Sequence, residues 1–236
     1  MRAASHWTDA ARGAIRMDAT PVPEAPMYTL HTMPSTAGMA PHILLREIGA
    51  EHELVFLERA KEEHKSAEYL ALNPNGRVPT LVDGDLVVYE SAAICLHLCD
   101  RHPQAGLAPA VGTQERARFY QWMAWLTNTI QPDMLVYFYP ERYVPAAACA
   151  DLKTVAEGRL HLQFQIADAT LADRPYLLGE TYSAADAYLF MLARWSRNMT
   201  LKARDLPNLG HFLERVYARP AVRAAFVAEG LEAPYF

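Results

Sequence analysis

Hydrophobic and polar positions change their period once along this 236-residue chain. From Met27 to about Asp100, short apolar runs of strand length alternate with helix-period stretches, whereas from about Thr113 the period is helical throughout. That shift predicts an α/β unit followed by an all-helical one. Tyr28 to His31 reads as a strand, Thr32 to Gly38 as a loop and Ala40 to Ile48 as a helix. The alternating run at Thr80 to Val82, the Asp83-Gly84 pair and the run Leu86 to Tyr89 predict a β-hairpin. A helix then opens at Ser91 and extends to about Asp100. His102 to Gly112, with two prolines and two glycines, has the composition of an exposed linker. Beyond it a helix is expected over Gln114 to Thr129, with Phe119, Trp122, Met123, Trp125, Leu126 and Ile130 on its core face. Tyr182-Ser183-Ala184-Ala185-Asp186 reads as a capping box that starts a helix from Ala184 to about Trp195, with Asp in place of the more usual Glu or Gln. The expected division is therefore an extension over residues 1–26, an α/β domain over 27–102, a linker over 103–112 and a helical domain over 113–236.

The hairpin and the helix after it carry three features suited to one small peptide. Val78-Pro79 stands where the chain enters the first hairpin strand, a place that tolerates proline and allows a cis bond. The main chain of Val78 is then available to pair with an extended ligand, which gives affinity through backbone hydrogen bonds. Ser91 lies at a helix N-terminus, where unpaired N–H groups and the dipole favour a carboxylate. Glu90 precedes it and suits an ammonium. Glu90 and Ser91 together fit the charged head of an amino acid, such as a γ-glutamyl group, and the three features point to glutathione.

Val-Pro followed about a dozen residues later by Glu-Ser at a helix start resembles the cytosolic glutathione transferase superfamily. The string YSAADAYLFMLARW is similar to the capping motif of its buried helix, which makes Asp186 structural. PHILLREIGAEHEL, EYLALNPNGRVPTL and YESAAICLHL are similar to the bacterial, beta-like transferases, and the likeness spans Met27 to Leu231. The resemblance implies a thioredoxin-like N-terminal domain, an all-α C-terminal bundle, glutathione as co-substrate and a homodimer contacting through the helices 91–100 and 114–129. Beta-class enzymes carry a cysteine in the first loop, but Ala37 occupies that position here, which removes mixed-disulfide chemistry. Aligned with the serine-using theta and zeta classes, the activating serine falls at Ser35, with Thr36 one step away. A hydroxyl aimed at a thiolate, together with helix N-terminal amides, favours the ionised thiol. Beta enzymes also place an asparagine and a histidine that reach glutathione across the dimer where this chain has Ala124 and Gln131, so the resemblance implies trans-subunit contacts that are weaker or are made by Gln131 alone. Met39, Tyr137, Tyr139, Arg142 and Trp195 are expected to line an apolar pocket for a small electrophile. Two other activities stay open: a glutathione-dependent cis–trans isomerase of the zeta type, and a non-catalytic ligand-binding protein.

Composition narrows these readings further. A net charge of −5 with no basic stripe argues against a nucleic-acid partner. Three cysteines, Cys95, Cys99 and Cys149, lack the spacing of a disulfide framework, which fits the cytoplasm. The nine histidines have no metal-ligand spacing, so no metal is expected. No apolar run reaches transmembrane length. Residues 1–26 lack the apolar segment of a secretory signal and are expected to be a disordered extension, or to precede a true start at Met27.

Overall fold

The computed structural model describes residues 28–236, and the expectation for residues 1–26 lies outside them. Strand β1 (Tyr28–Thr32) alternates buried and half-buried positions, as a strand covered on both faces requires. Helix α1 (Met39–Glu47) carries the chain back to β2 (His52–Phe56), which pairs parallel to β1 with Leu30 opposite Leu54. Short helix α2 (Ala67–Leu72) leads to β3 (Thr80–Asp83), antiparallel to β1, and then to β4 (Leu86–Tyr89). The sheet order is β2-β1-β3-β4. The hairpin turn is Gly84-Asp85, one residue later than Asp83-Gly84, because Asp83 stays in register opposite Leu86. Gly84 takes a φ of +59°, a conformation a glycine adopts without steric cost.

Helix α3 (Ser91–Arg101) completes the α/β unit, with Cys95 and Cys99 on its buried face. Burial pushes the Cys99 thiol up to about 12, so it stays protonated as a small apolar filler. The next helical run is longer than its sequence suggests. Helix α4 (Gln114–Trp125) passes through a π-turn at Leu126–Ile130 into α5 (Gln131–Phe138). Pro132 supplies a cause: it lacks an N–H, and its ring would meet the carbonyl one turn back, so the turn before it widens. Phe119, Met123, Leu126 and Ile130 are buried as expected, while Trp122 and Trp125 pack half-buried against the same core.

Long helix α6 (Cys149–Thr170) is followed by α7 (Ala184–Trp195), α8 (Pro207–Tyr217) and α9 (Pro220–Ala228). Every residue of α7 from Ala184 to Arg194 is buried, and the helix packs on α1 and α3 as well as on the helical bundle. Together with α9, which also packs on α1, it joins the two halves. Its N-terminus is fixed by Asp186, whose Oδ2 accepts from the Ser183 N–H at 2.8 Å and the Ser183 hydroxyl at 2.8 Å, while Oδ1 accepts from the Leu177 N–H at 2.8 Å.

Candidate active site

A cleft of about 800 Å3 runs between the α/β unit and the helical bundle, a size typical of small-molecule sites. It brings together Ser35, Thr36, Val78, Pro79, Glu90, Ser91, Gln131, Tyr139, Arg142 and Trp195. Two candidates lie elsewhere. Met39 is fully buried in the core beneath the first loop, because α1 begins there and turns it away from the cleft. Tyr137 is turned off the cleft face of α5, which presents Gln131, Leu135 and Phe138 at helical spacing, and instead has the Lys153 ammonium 5.5 Å from its ring centroid. Ala124, the other position aligned with a beta-class contact, is exposed on α4 outside the cleft.

The first loop is held from behind by a buried charged network. Ser35 has a φ of +61°, a left-handed conformation that costs a non-glycine residue about 1–3 kcal/mol. Its N–H donates to Glu229 Oε2 at 2.8 Å, and its hydroxyl oxygen accepts from the Arg194 guanidinium at 2.5 Å. Glu229 Oε1 also accepts from the buried His42 Nδ1–H at 2.8 Å, and His42 Nε2 accepts from Arg46 Nε–H at 2.8 Å. That acceptance fixes His42 as the neutral Nδ1–H tautomer. Burial lowers the Arg194 guanidinium to about 10, so it is still charged at neutral pH. Because the Ser35 oxygen is occupied as an acceptor, its own proton remains free to donate. Thr36 differs, since its hydroxyl already donates to the Met33 carbonyl at 2.6 Å.

The opposite wall is built by β3 and its approach. The Val78-Pro79 bond is cis, and the N–H and C=O of Val78 make no hydrogen bond among the described residues. Around it the chain is pinned: the Arg77 carbonyl accepts from the Tyr69 hydroxyl at 2.7 Å and from Asn73 Nδ2 at 2.8 Å. Thr80 Oγ1 closes the same cluster with Tyr69 at 2.9 Å and Asn73 at 3.2 Å. Glu90, like Ser35, has a positive φ, at +75°. Non-glycine residues in this region persist where the surroundings over-determine them, and such sites cluster at ligand clamps. On the helical side Gln131 Oε1 accepts from the Tyr188 hydroxyl at 2.5 Å, and burial raises the Tyr188 phenol so that it remains a donor.

Sequence reading passed over Arg194, Glu229, Tyr69, Asn73 and Tyr188. Arg194 carried a signal, a lone cation inside the apolar run from Ala184 to Trp195. Glu229 carried none, since its partner Ser35 is 194 residues away.

A thioredoxin-like unit offering an open main-chain edge, an acid-serine pair at a helix N-terminus and a hydroxyl-bearing loop, all facing a helical bundle, defines a protein built around a small thiol peptide. The chain belongs to the glutathione S-transferase family. Residues 25–100 match the glutathione S-transferase N-terminal domain, and residues 126–220 match its C-terminal domain. It is 33% identical over 203 residues to the glutathione S-transferase GST-4.5 of Xanthomonas campestris, covering 86% of this chain and 98% of that one. A solved glutathione S-transferase from Xylella fastidiosa superposes with a TM-score of 0.80 at 35% identity, over 87% of this chain and all of the other. A sphingomonad glutathione S-transferase solved in complex with glutathione gives a TM-score of 0.77 at 32% identity, over 86% and 100% of the two chains.

Proposed function

We propose that Ser35 is the residue that holds the glutathione thiolate in this transferase. The protein is a glutathione transferase, with glutathione as co-substrate. The tripeptide lies along the main chain of Val78, with its ammonium at Glu90 and its amino-acid carboxylate at Ser91 and the α3 N-terminus. Its thiolate then accepts from the Ser35 hydroxyl, and a second substrate enters beside Leu135, Phe138, Tyr139 and Trp195. Catalysis rests on thiol ionisation and proximity. Lowering the thiol pKa by about two units corresponds to about 2.7 kcal/mol, a reasonable load for one charge-assisted hydrogen bond and a helix dipole.

The observation that carries this reading is the division of labour between the two hydroxyls. Ser35 accepts from Arg194 and keeps a proton to give, whereas Thr36 has already given its proton to Met33. A cytoplasmic homodimer completes the reading. The dimer is supported by exposed apolar and aromatic side chains, Leu86, Val87 and Tyr89 on β4 and Tyr120 on α4, which a second copy would cover. Calorimetry of glutathione binding tests the clamp: Glu90→Gln and Ser91→Ala are each expected to weaken binding about tenfold or more. Unchanged affinity in both would refute it.

A further inference from the structure

We propose that the second substrate of this transferase carries an anionic group, a carboxylate or its equivalent in charge, seated between Arg59 and Arg142 at the mouth of the cleft. This rests on the reading of Val78, Glu90 and Ser91 as the glutathione clamp. The cleft lining contains Arg59, Lys65, Arg77, Arg142 and Arg197 but a single acid, Glu90. None of those five cations forms an ion pair among the described residues; the nearby Glu58 is engaged by Lys61 at 2.6 Å. Glutathione brings its own counter-charges. Its ammonium neutralises Glu90, and its second carboxylate falls near Lys65 and Arg77, which flank the Val78 approach. The thiolate adds one more negative charge at Ser35. Cationic charge still exceeds anionic charge when that ligand is in place, and the excess lies on the wall where the second substrate enters.

Geometry places this excess on one side chain. Arg59, from the segment after β2, donates to the Tyr139 hydroxyl at 3.0 Å. Arg142, from the turn after α5, holds its guanidinium 4.0 Å from the centroid of the Tyr139 ring. Two guanidinia from the two halves of the molecule thus meet on one tyrosine with no acid between them. Two like charges so placed repel, and a bound anion offsets that repulsion while using a donor geometry suited to carboxylates. Arg197, half-buried at the end of α7, makes only a 3.2 Å bond to the Arg194 carbonyl, and burial lowers its pKa. The pocket is therefore less apolar than its run of aromatic residues suggests. Phe138, Tyr139 and Trp195 supply an aromatic wall, and the arginines select the charge of what stacks on it.

The test uses two preformed conjugates that differ by one isosteric group, S-(2,4-dinitrophenyl)glutathione and S-(4-carboxy-2-nitrophenyl)glutathione. Their affinities for the full chain are measured by calorimetry, a readout that does not need thiol activation. The carboxylated conjugate is expected to bind roughly five- to tenfold more tightly, the size of two solvent-screened charge pairs. Arg142→Met and Arg59→Met should each reduce that preference while binding glutathione itself with unchanged affinity, and about 0.5 M salt should shrink the preference in the parent protein. Equal affinities of the two conjugates would overturn the inference. So would a loss of glutathione affinity in Arg142→Met with the preference intact, which would assign the guanidinium to the tripeptide. Failure of the clamp would appear separately, as no binding of glutathione or of either conjugate.

Discussion

Arg194, a residue 2% exposed, donates to the hydroxyl oxygen of Ser35 across 159 residues of sequence, at 2.5 Å. The bond orients the serine proton away from Arg194 and places a buried positive charge behind the group that faces the thiol. Removing the hydroxyl should therefore matter far more than removing its neighbour. Ser35→Ala is expected to lower kcat/KM for conjugation of a chlorodinitrobenzene by about a hundredfold, in the range seen for loss of one aimed donor. Thr36→Val should stay within about threefold. The reverse order, in steady-state rates corrected for the uncatalysed reaction, would move the assignment to Thr36.

Gly38 precedes α1 and touches both the first loop and the cis-proline segment. A Cβ there would overlap the Thr32 hydroxyl and lie 2.8 Å from the Thr32 Cβ and 3.5 Å from the Pro79 Cβ. Since Thr32 is fully buried, the overlap has to be relieved by moving the loop. Gly38→Ala should cost about 1–3 kcal/mol in urea unfolding and weaken glutathione binding at the same time. A stable variant with normal affinity would mean that the loop has more room than its packing implies.

Asp186 is fully buried and accepts three hydrogen bonds at the start of the central helix. Asp186→Ala leaves the Ser183 and Leu177 donors without their partner, and a loss of about 3–5 kcal/mol is expected from equilibrium unfolding. A loss below about 1 kcal/mol would contradict the role given to this capping box.

The same carboxyl sets a pH dependence. Burial raises Asp186 from 3.8 to about 6, outweighing the hydrogen bonds that favour its charged form. Between those values the folded state binds more protons than the unfolded one, so stability falls as pH rises. The proton-linked part of its contribution is complete below about pH 4 and is lost as pH passes 6, while the three hydrogen bonds to the carboxylate remain. The difference in urea midpoint between the parent protein and Asp186→Ala should therefore narrow from pH 4 to pH 7. A difference that widens over that range would reverse the sign.

Local signals made much of this molecule readable from its residues. The hairpin, the Ser91 helix start and the capping box each rest on side chains within a few positions of one another, so turn chemistry and periodicity reach them. The hairpin turn shifted by one residue because cross-strand register, rather than the best-looking turn pair, decides which residues pair. Strand β2 was not singled out, and its mostly half-buried and exposed positions give a weak alternation. Tyr137 and Tyr139 look alike in the sequence, yet a two-residue step around a helix end sends them to different surroundings. The Ser35, Glu229 and Arg194 contacts join the first loop to the last helices, and spacing along a chain holds no trace of such pairings.

The most direct test of Ser35 as thiolate holder is a thiolate absorbance titration of glutathione bound to the protein between about pH 5 and 9, run beside Ser35→Ala. The bound thiol should titrate about two units below its ordinary value of roughly 8.5, and the variant should return it most of the way while still binding the tripeptide. A bound thiol that titrates near 8.5 in the parent protein, or a lowered value untouched by Ser35→Ala, would contradict the role of this serine.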